Sequence, residues 1–132
     1  MGRISGPLLD RMDLVVQVQP VPPAELSRAP PGEKSALVAE RVLMAREAQR
    51  ALYGADGAAT NAEAEIGAIE LQPDARTLAE QASEKLRLSA RGFTRVLRVA
   101  RTIADLGRSG IVRRTDVAEA LAYRHRVPGR KV

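Results

Sequence analysis

The stretch Leu88-Ser-Ala-Arg-Gly-Phe-Thr-Arg-Val-Leu-Arg-Val-Ala-Arg-Thr-Ile-Ala-Asp-Leu-Gly107 decides the fold. Ser89 is a good N-cap, because its hydroxyl can accept an amide N–H left unpaired in the first turn. Phe93, Val96, Leu97, Ala100, Ile103 and Ala104 recur at about 100° per residue and cover one broad face. The spacing predicts a helix over 90–106, ended by Gly107 and followed by a turn at Arg108-Ser109-Gly110. Arg91, Arg95 and Arg98 fall on the opposite face, with Arg101 at its edge.

Working outward, the pattern is helical on both sides. Asp74 follows Pro73 and is expected to cap a helix over 75–86, with Leu78, Ala82 and Leu86 as its apolar line. Asn61 is the expected cap of a short helix over 62–69, which Gly67 weakens. Ser35 is the expected cap of a long helix to Tyr53, stopped by Gly54. Downstream, Thr115 is placed to cap a last helix to about Tyr123. Asp116 and Glu119 lie early in it, where the helix dipole favours negative charge.

The N-terminal stretch RISGPLLDRMDL (3–14) has a different character. Pro7 suits the first turn of a helix, where its missing N–H is not needed. A helical turn from Pro7 to Arg11 then runs into Leu14-Val15-Val16-Gln17-Val18, which reads as a short strand. Arg11 therefore sits at a corner from which a cation can project. Two readings remain open on spacing alone: Arg11 meets a phosphate on a neighbouring molecule, or it pairs at the surface with Asp10 or Asp13. After the strand, the prolines between Gln19 and Gly32 break regular structure, apart from one helical turn at 24–28. The tail from Arg124 onward is basic.

Composition narrows the function. The chain has 132 residues, one domain's worth, with three aromatic side chains (Phe93, Tyr53, Tyr123). Its core must come from Leu, Val, Ile and Ala. Cys is absent, which excludes disulfides and Cys-based zinc sites. There is no signal peptide pattern and no apolar run near the roughly 20 residues of a membrane span. The net charge of +5 is carried mainly by Arg, which suits nucleotide or nucleic acid partners. The only histidine, His125, lies between Arg124 and Arg126, a poor setting for a metal. Ser5 and Ser89 lack a His–Asp setting for nucleophilic catalysis. Asp10 and Asp13 read as steering Arg11 rather than as an acid–base pair.

Three blocks resemble the Mg-chelatase-like AAA+ ATPases of the ComM/YifB type: ISGPLLDRMDL (4–14), LSARGFTR through ARTIADL (88–106) and EALAYR (119–124). The resemblance implies a mainly α fold: the C-terminal helical lid bundle of about four helices, preceded by one short β-strand from the ATPase core. It divides the chain into a finger segment and strand (1–18), a Pro-rich linker (19–34), the helical lid (35–124) and a basic tail (125–132). It further implies that Arg11 is the arginine finger, and that Arg91, or Arg95 one turn later, is the sensor-2 arginine touching nucleotide. No phosphate-cradling loop and no Mg²⁺-holding acid follows an apolar strand here. The chain is therefore expected to be the C-terminal piece of a longer ATPase, inactive alone. ATP and Mg²⁺ then belong to the whole protein, with none expected on this part. The expected partners are the rest of the AAA+ core, identical ring neighbours and DNA, with no membrane and a cytoplasmic setting. The alternatives are a free-standing helical DNA-binding module, for which the Arg91/Arg95/Arg98 stripe would be the contact face, and a protein-interaction adaptor.

Overall fold

In the computed structural model the residues described are 8, 11–55, 57 and 60–124. Among them the chain forms five α-helices: α1 (Pro23–Arg28), α2 (Ser35–Tyr53), α3 (Pro73–Leu86), α4 (Ala90–Leu106) and α5 (Arg114–Arg124). The mainly helical fold expected from the sequence is the one found. The expectations for His125 and the basic tail fall outside the described residues. So does most of the turn at Pro7–Arg11.

Helix α4 is the centre. It packs against α5, α3 and α2, and α3 also packs against α5. The core is built from Val96, Leu97, Ala100 and Ala104 of α4, with Ala75 and Ala79 of α3 and Val117, Ala120 and Leu121 of α5. Ala75, Ala100 and Ala104 have no measurable exposure. Methyl side chains at these contacts let the helix axes approach closely, which is how a core with one phenylalanine fills its space.

The ends of the helices follow local chemistry. Ser89 caps α4 as expected, its Oγ accepting from Gly92 N at 3.0 Å. Gly54 ends α2 at φ +73°, a conformation that suits glycine, and its N–H bonds Arg50 O at 2.9 Å. Three expected caps are corrected. Helix α3 starts at Pro73, not after Asp74, because a proline at the first position needs no N–H partner. Helix α2 is capped by Lys34, whose carbonyl takes the first helical N–H groups from Leu37 and Val38; Ser35 is already helical. At α5, Asp116 rather than Thr115 closes the end. Its carboxylate accepts from Arg113 N at 2.9 Å and from the Arg113 guanidinium at 3.0 Å. This is the reach-back half of a capping box, and it raises the Arg113 pKa above its ordinary value.

Two further expectations change. Residues 61–69 form two short 3₁₀ turns (Asn61–Glu63 and Ile66–Ala68) instead of one helix. Ala64 and Ile69 are buried there, and the Asn61 side chain is drawn elsewhere. The strand expected at 14–18 is not formed among the described residues. A strand needs a neighbour for its N–H and C=O groups. Here the segment is paired at one point, Val15 N to Tyr123 O at 2.9 Å. The bridge that does occur is parallel, between Leu71 and Val112, and fastens the start of α3 to the start of α5.

Helix α2 is lightly held. Only Ala45 and Gln49 are buried on it, while Leu37, Val42, Leu43, Met44 and Leu52 are exposed. The extended segment before α1 likewise exposes Leu14, Val16, Val18 and Val21.

Candidate functional site

The arginines of α4 look equivalent in sequence and have different fates in space. Arg98 is spent on the backbone, donating from Nε (3.0 Å) and Nη2 (2.8 Å) to Ala64 O. Arg95 pairs with Asp13 at 2.5 Å, its side chain one-quarter exposed. Arg91, on the first turn, is exposed. Among the described residues its guanidinium has no hydrogen-bond or ion-pair partner. The stripe is therefore not one solvated basic face.

Arg101 corrects the expectation most. It is not at the edge of a solvent-facing stripe but buried, at 2% exposure. Its Nε and Nη2 donate to Asp105 Oδ1 at 3.1 and 2.8 Å. The same guanidinium donates to Ser109 O (2.6 Å) and Gly110 O (3.2 Å), fixing the turn after α4. Asp105 Oδ2 accepts from Asn61 Nδ2 at 2.8 Å, and Asn61 also donates to Thr102 Oγ1 at 3.0 Å. Tyr53 OH donates to Asn61 Oδ1 at 2.5 Å. One buried polar network thus ties the end of α2, the 3₁₀ turn, α4 and the following turn together. The i, i+4 spacing of Arg101 and Asp105 was the available signal for it.

Burial, and then the Asp105 charge, raise the Tyr53 pKa above 10.0, against the opposing charges of Arg101 and Arg98. The sign follows from linkage. Below pH 10 the phenol is neutral in both the folded and the unfolded chain, so its stabilising contribution is complete. That contribution is lost as pH rises through the higher folded value. Phenolate absorbance is expected to show one tyrosine titrating above the ordinary range, and Tyr53→Phe should remove that component.

Arg11 lies in a turn closed by its N–H on Leu8 O at 3.1 Å, and it is exposed. Two residues on, Asp13 meets Arg95; Asp10 lies outside the described residues. The surface pairing that competed for Arg11 in sequence thus goes, at Asp13, to a different arginine. Beside this pair runs a groove of about 670 Å³ between residues 13–14, α4 and α5. Leu14, Val99, Ile103 and Leu106 line it with Arg41, Arg95 and Arg98. The three cations are already engaged, Arg41 by Glu33, which lowers the Glu33 pKa.

Arg11 and Arg91 are among several exposed guanidiniums that the described residues offer to solvent. These suit the oxygens of a phosphate chain. No group of three or more acidic or histidine side chains that could hold a metal ion occurs among the described residues. No helix of the described residues is long and apolar enough to cross a membrane.

Comparison with known proteins agrees with this architecture. The family described as "Magnesium chelatase, subunit ChlI C-terminal" matches residues 32–124, the helical region from just before α2 to the end of α5. YifB of Escherichia coli, itself uncharacterised, is 38% identical over 125 residues. Competence protein ComM of Haemophilus influenzae is 39% identical over 125 residues. An uncharacterised protein of Mycobacterium tuberculosis is 37% identical over 128 residues. Each alignment covers 94% of this chain and 25% of the relative, so the chain spans about a quarter of the length of the curated relatives it matches. With the match running over residues 32–124, through all the described helices but the first, this chain belongs to the magnesium chelatase subunit ChlI C-terminal family.

Proposed function

We propose that this domain is the helical lid of a Mg-chelatase-like AAA+ ATPase ring. In this reading residues 1–18 carry the arginine finger, 19–34 link it to the lid at 35–124, and 125–132 form a basic tail. Arg11 reaches the γ-phosphate of a nucleotide held by the neighbouring subunit. Arg91 touches the nucleotide of its own subunit. The observation that carries this is selective: α4 ties down Arg95, Arg98 and Arg101 and leaves Arg91 presented to solvent at its first turn. A helix start favours anions, because its N–H groups and dipole point toward them.

ATP supplies the γ-phosphoryl group, and Mg²⁺ offsets its charge; both are held mainly by a core outside this domain. What this chain contributes is cationic. Arg11 stabilises the charge spreading over the transferring group, the arginine-finger role. Arg91 helps hold the phosphates and registers their presence. The exposed apolar faces of α2 and of residues 14–21 support docking onto that core. Residues 14–18, unpaired along most of their backbone, would complete as a strand in the sheet of the core. Coupling to DNA is the proposed output of the ring, in the cytoplasm where ATP is available.

Arg91 provides the direct test. In the full-length protein Arg91→Ala is expected to weaken ATP binding about tenfold, the loss of one charge-assisted contact of roughly 1.5 kcal/mol. Helix content should be unchanged, since the side chain is exposed. Unaltered ATP affinity, measured by titration of a fluorescent ATP analogue, would refute the assignment. If the isolated chain binds duplex DNA with an affinity that falls steeply with salt, the DNA-module reading replaces this one.

A further inference from the structure

The segment after the proposed finger is fastened to the lid at three points. Asp13 pairs with Arg95 of α4 at 2.5 Å. Arg124, the last residue of α5, donates from Nη1 to Met12 O at 2.5 Å. Val15 N donates to Tyr123 O at 2.9 Å. Beyond Val15 the chain has no regular structure until α1.

One of the three ties, through Arg124, reaches the turn of α4 that carries Arg91. A Cβ added at Gly92 would stand 3.1 Å from Arg124 Nη2, so the guanidinium of Arg124 lies over Gly92. A larger residue there would push that guanidinium aside by a few tenths of an ångström. Arg95 is one turn further along, about 6 Å of helix rise from Arg91. On the other side, Arg11 is two residues from Asp13, at most about 7 Å of chain. A short clamp therefore separates the Arg11 and Arg91 guanidiniums.

We propose that Asp13, Arg95 and Arg124 form a clamp that positions Arg11 and couples it to α4. The proposal rests on the reading of Arg11 as finger and Arg91 as sensor. Under it, movement of α4 on the nucleotide of its own subunit carries residues 11–15 along. The finger serving the neighbouring site then shifts with it. Asp13 and Arg95 act through Arg11 and touch no nucleotide, so they are positioning residues. Coupling of this kind needs an element with two arrangements that both sites bias. The clamped segment supplies that element.

The test has two arms. In the present chain, amide hydrogen exchange reads the clamp without any ATPase. Val15 N–H is expected to be protected. Asp13→Ala and Arg95→Ala should each raise its exchange rate several-fold, with the rates of α4 core amides unchanged. The reversed pair Asp13→Arg with Arg95→Asp should restore protection. Val15 exchange identical in wild type and both single variants would overturn the clamp. In the assembled ring, Asp13→Ala should lower kcat by about tenfold with KM little changed and reduce cooperativity in ATP, and the reversed pair should recover both. Loosened exchange with unaltered turnover and cooperativity would overturn the coupling. If Arg11→Ala leaves turnover intact, the finger reading falls and the coupling with it, while the exchange arm reports separately on the clamp.

Discussion

Arg11→Ala in the full-length protein is expected, on the proposed lid reading, to lower the kcat of ATP hydrolysis by about 10³-fold or more, the scale of an arginine finger. Nucleotide binding should persist within a few-fold. The reason is where the charge sits. Before transfer, the phosphates are neutralised mainly by the core that binds them. In the transition state, charge spreads over the moving phosphoryl group, and a guanidinium supplied from the adjacent subunit stabilises it selectively. Such a contact affects k_cat more than affinity. Removing it should leave the fold alone, since Arg11 is exposed and its N–H bond to Leu8 belongs to the backbone. Mixing gives a sharper measurement. Arg11→Ala subunits, blended with subunits that cannot bind nucleotide but keep Arg11, should regain turnover at mixed interfaces. If Arg11→Ala loses binding and hydrolysis together, or neither, the finger assignment is wrong.

The largest stability effect is expected at Asp105. Asp105→Ala leaves the Arg101 guanidinium buried with only the carbonyls of Ser109 and Gly110, and strips Asn61 of its carboxylate partner. Breaking a buried pair from one side costs about 3–5 kcal/mol. For a domain of this size that is a fall in Tm of about 10–20 °C. Against a total stability of order 5–15 kcal/mol, that removes about a fifth or more of what holds the domain folded. Arg101→Met should cost a comparable amount, because it leaves the carboxylate unpaired instead. The double variant Arg101→Met with Asp105→Ala should recover a large part of the loss, since neither charge then remains buried. Thermal melts of the four proteins form a double-mutant cycle. A coupling energy near zero, or Asp105→Ala melting within two degrees of wild type, would show that the network is not what holds the turn.

The same network explains how the fold serves the site. It locks the C-terminal half of α4 to α2 and to the turn before α5, so the helix is rigid behind Arg91. Arg98 adds a second anchor through Ala64. The clamp at Asp13 holds the N-terminal half. On the proposed reading, a sensor at Arg91 would report displacement of the whole helix rather than motion of one side chain.

Much of this was legible in the chain because its signals are local. Gly54, Ser89 and Gly107 bound α2 and α4 by the conformations and hydrogen bonds they permit within one turn, and the structure puts the ends there. The apolar period of α4 named its buried face for the same reason. The helical class followed from these, and the three blocks of resemblance pointed to the family that the match over 32–124 establishes. What the tertiary structure alone decided concerns partners distant in sequence. Arg91 and Arg95 are interchangeable by spacing, and Asp13, 82 residues from Arg95, separates them. Arg101 sits at the margin of a hydrophobic arc, where periodicity assigns a charge to water. Its burial depended on Asn61 and on two backbone carbonyls brought in by the turn at 109–110. Residues 14–18 carry the pattern of a strand, but a strand exists only when another backbone lies beside it. Local torsional and capping preferences are written residue by residue; the pairing of charges and of backbone edges is set by which surfaces the packed helices bring together.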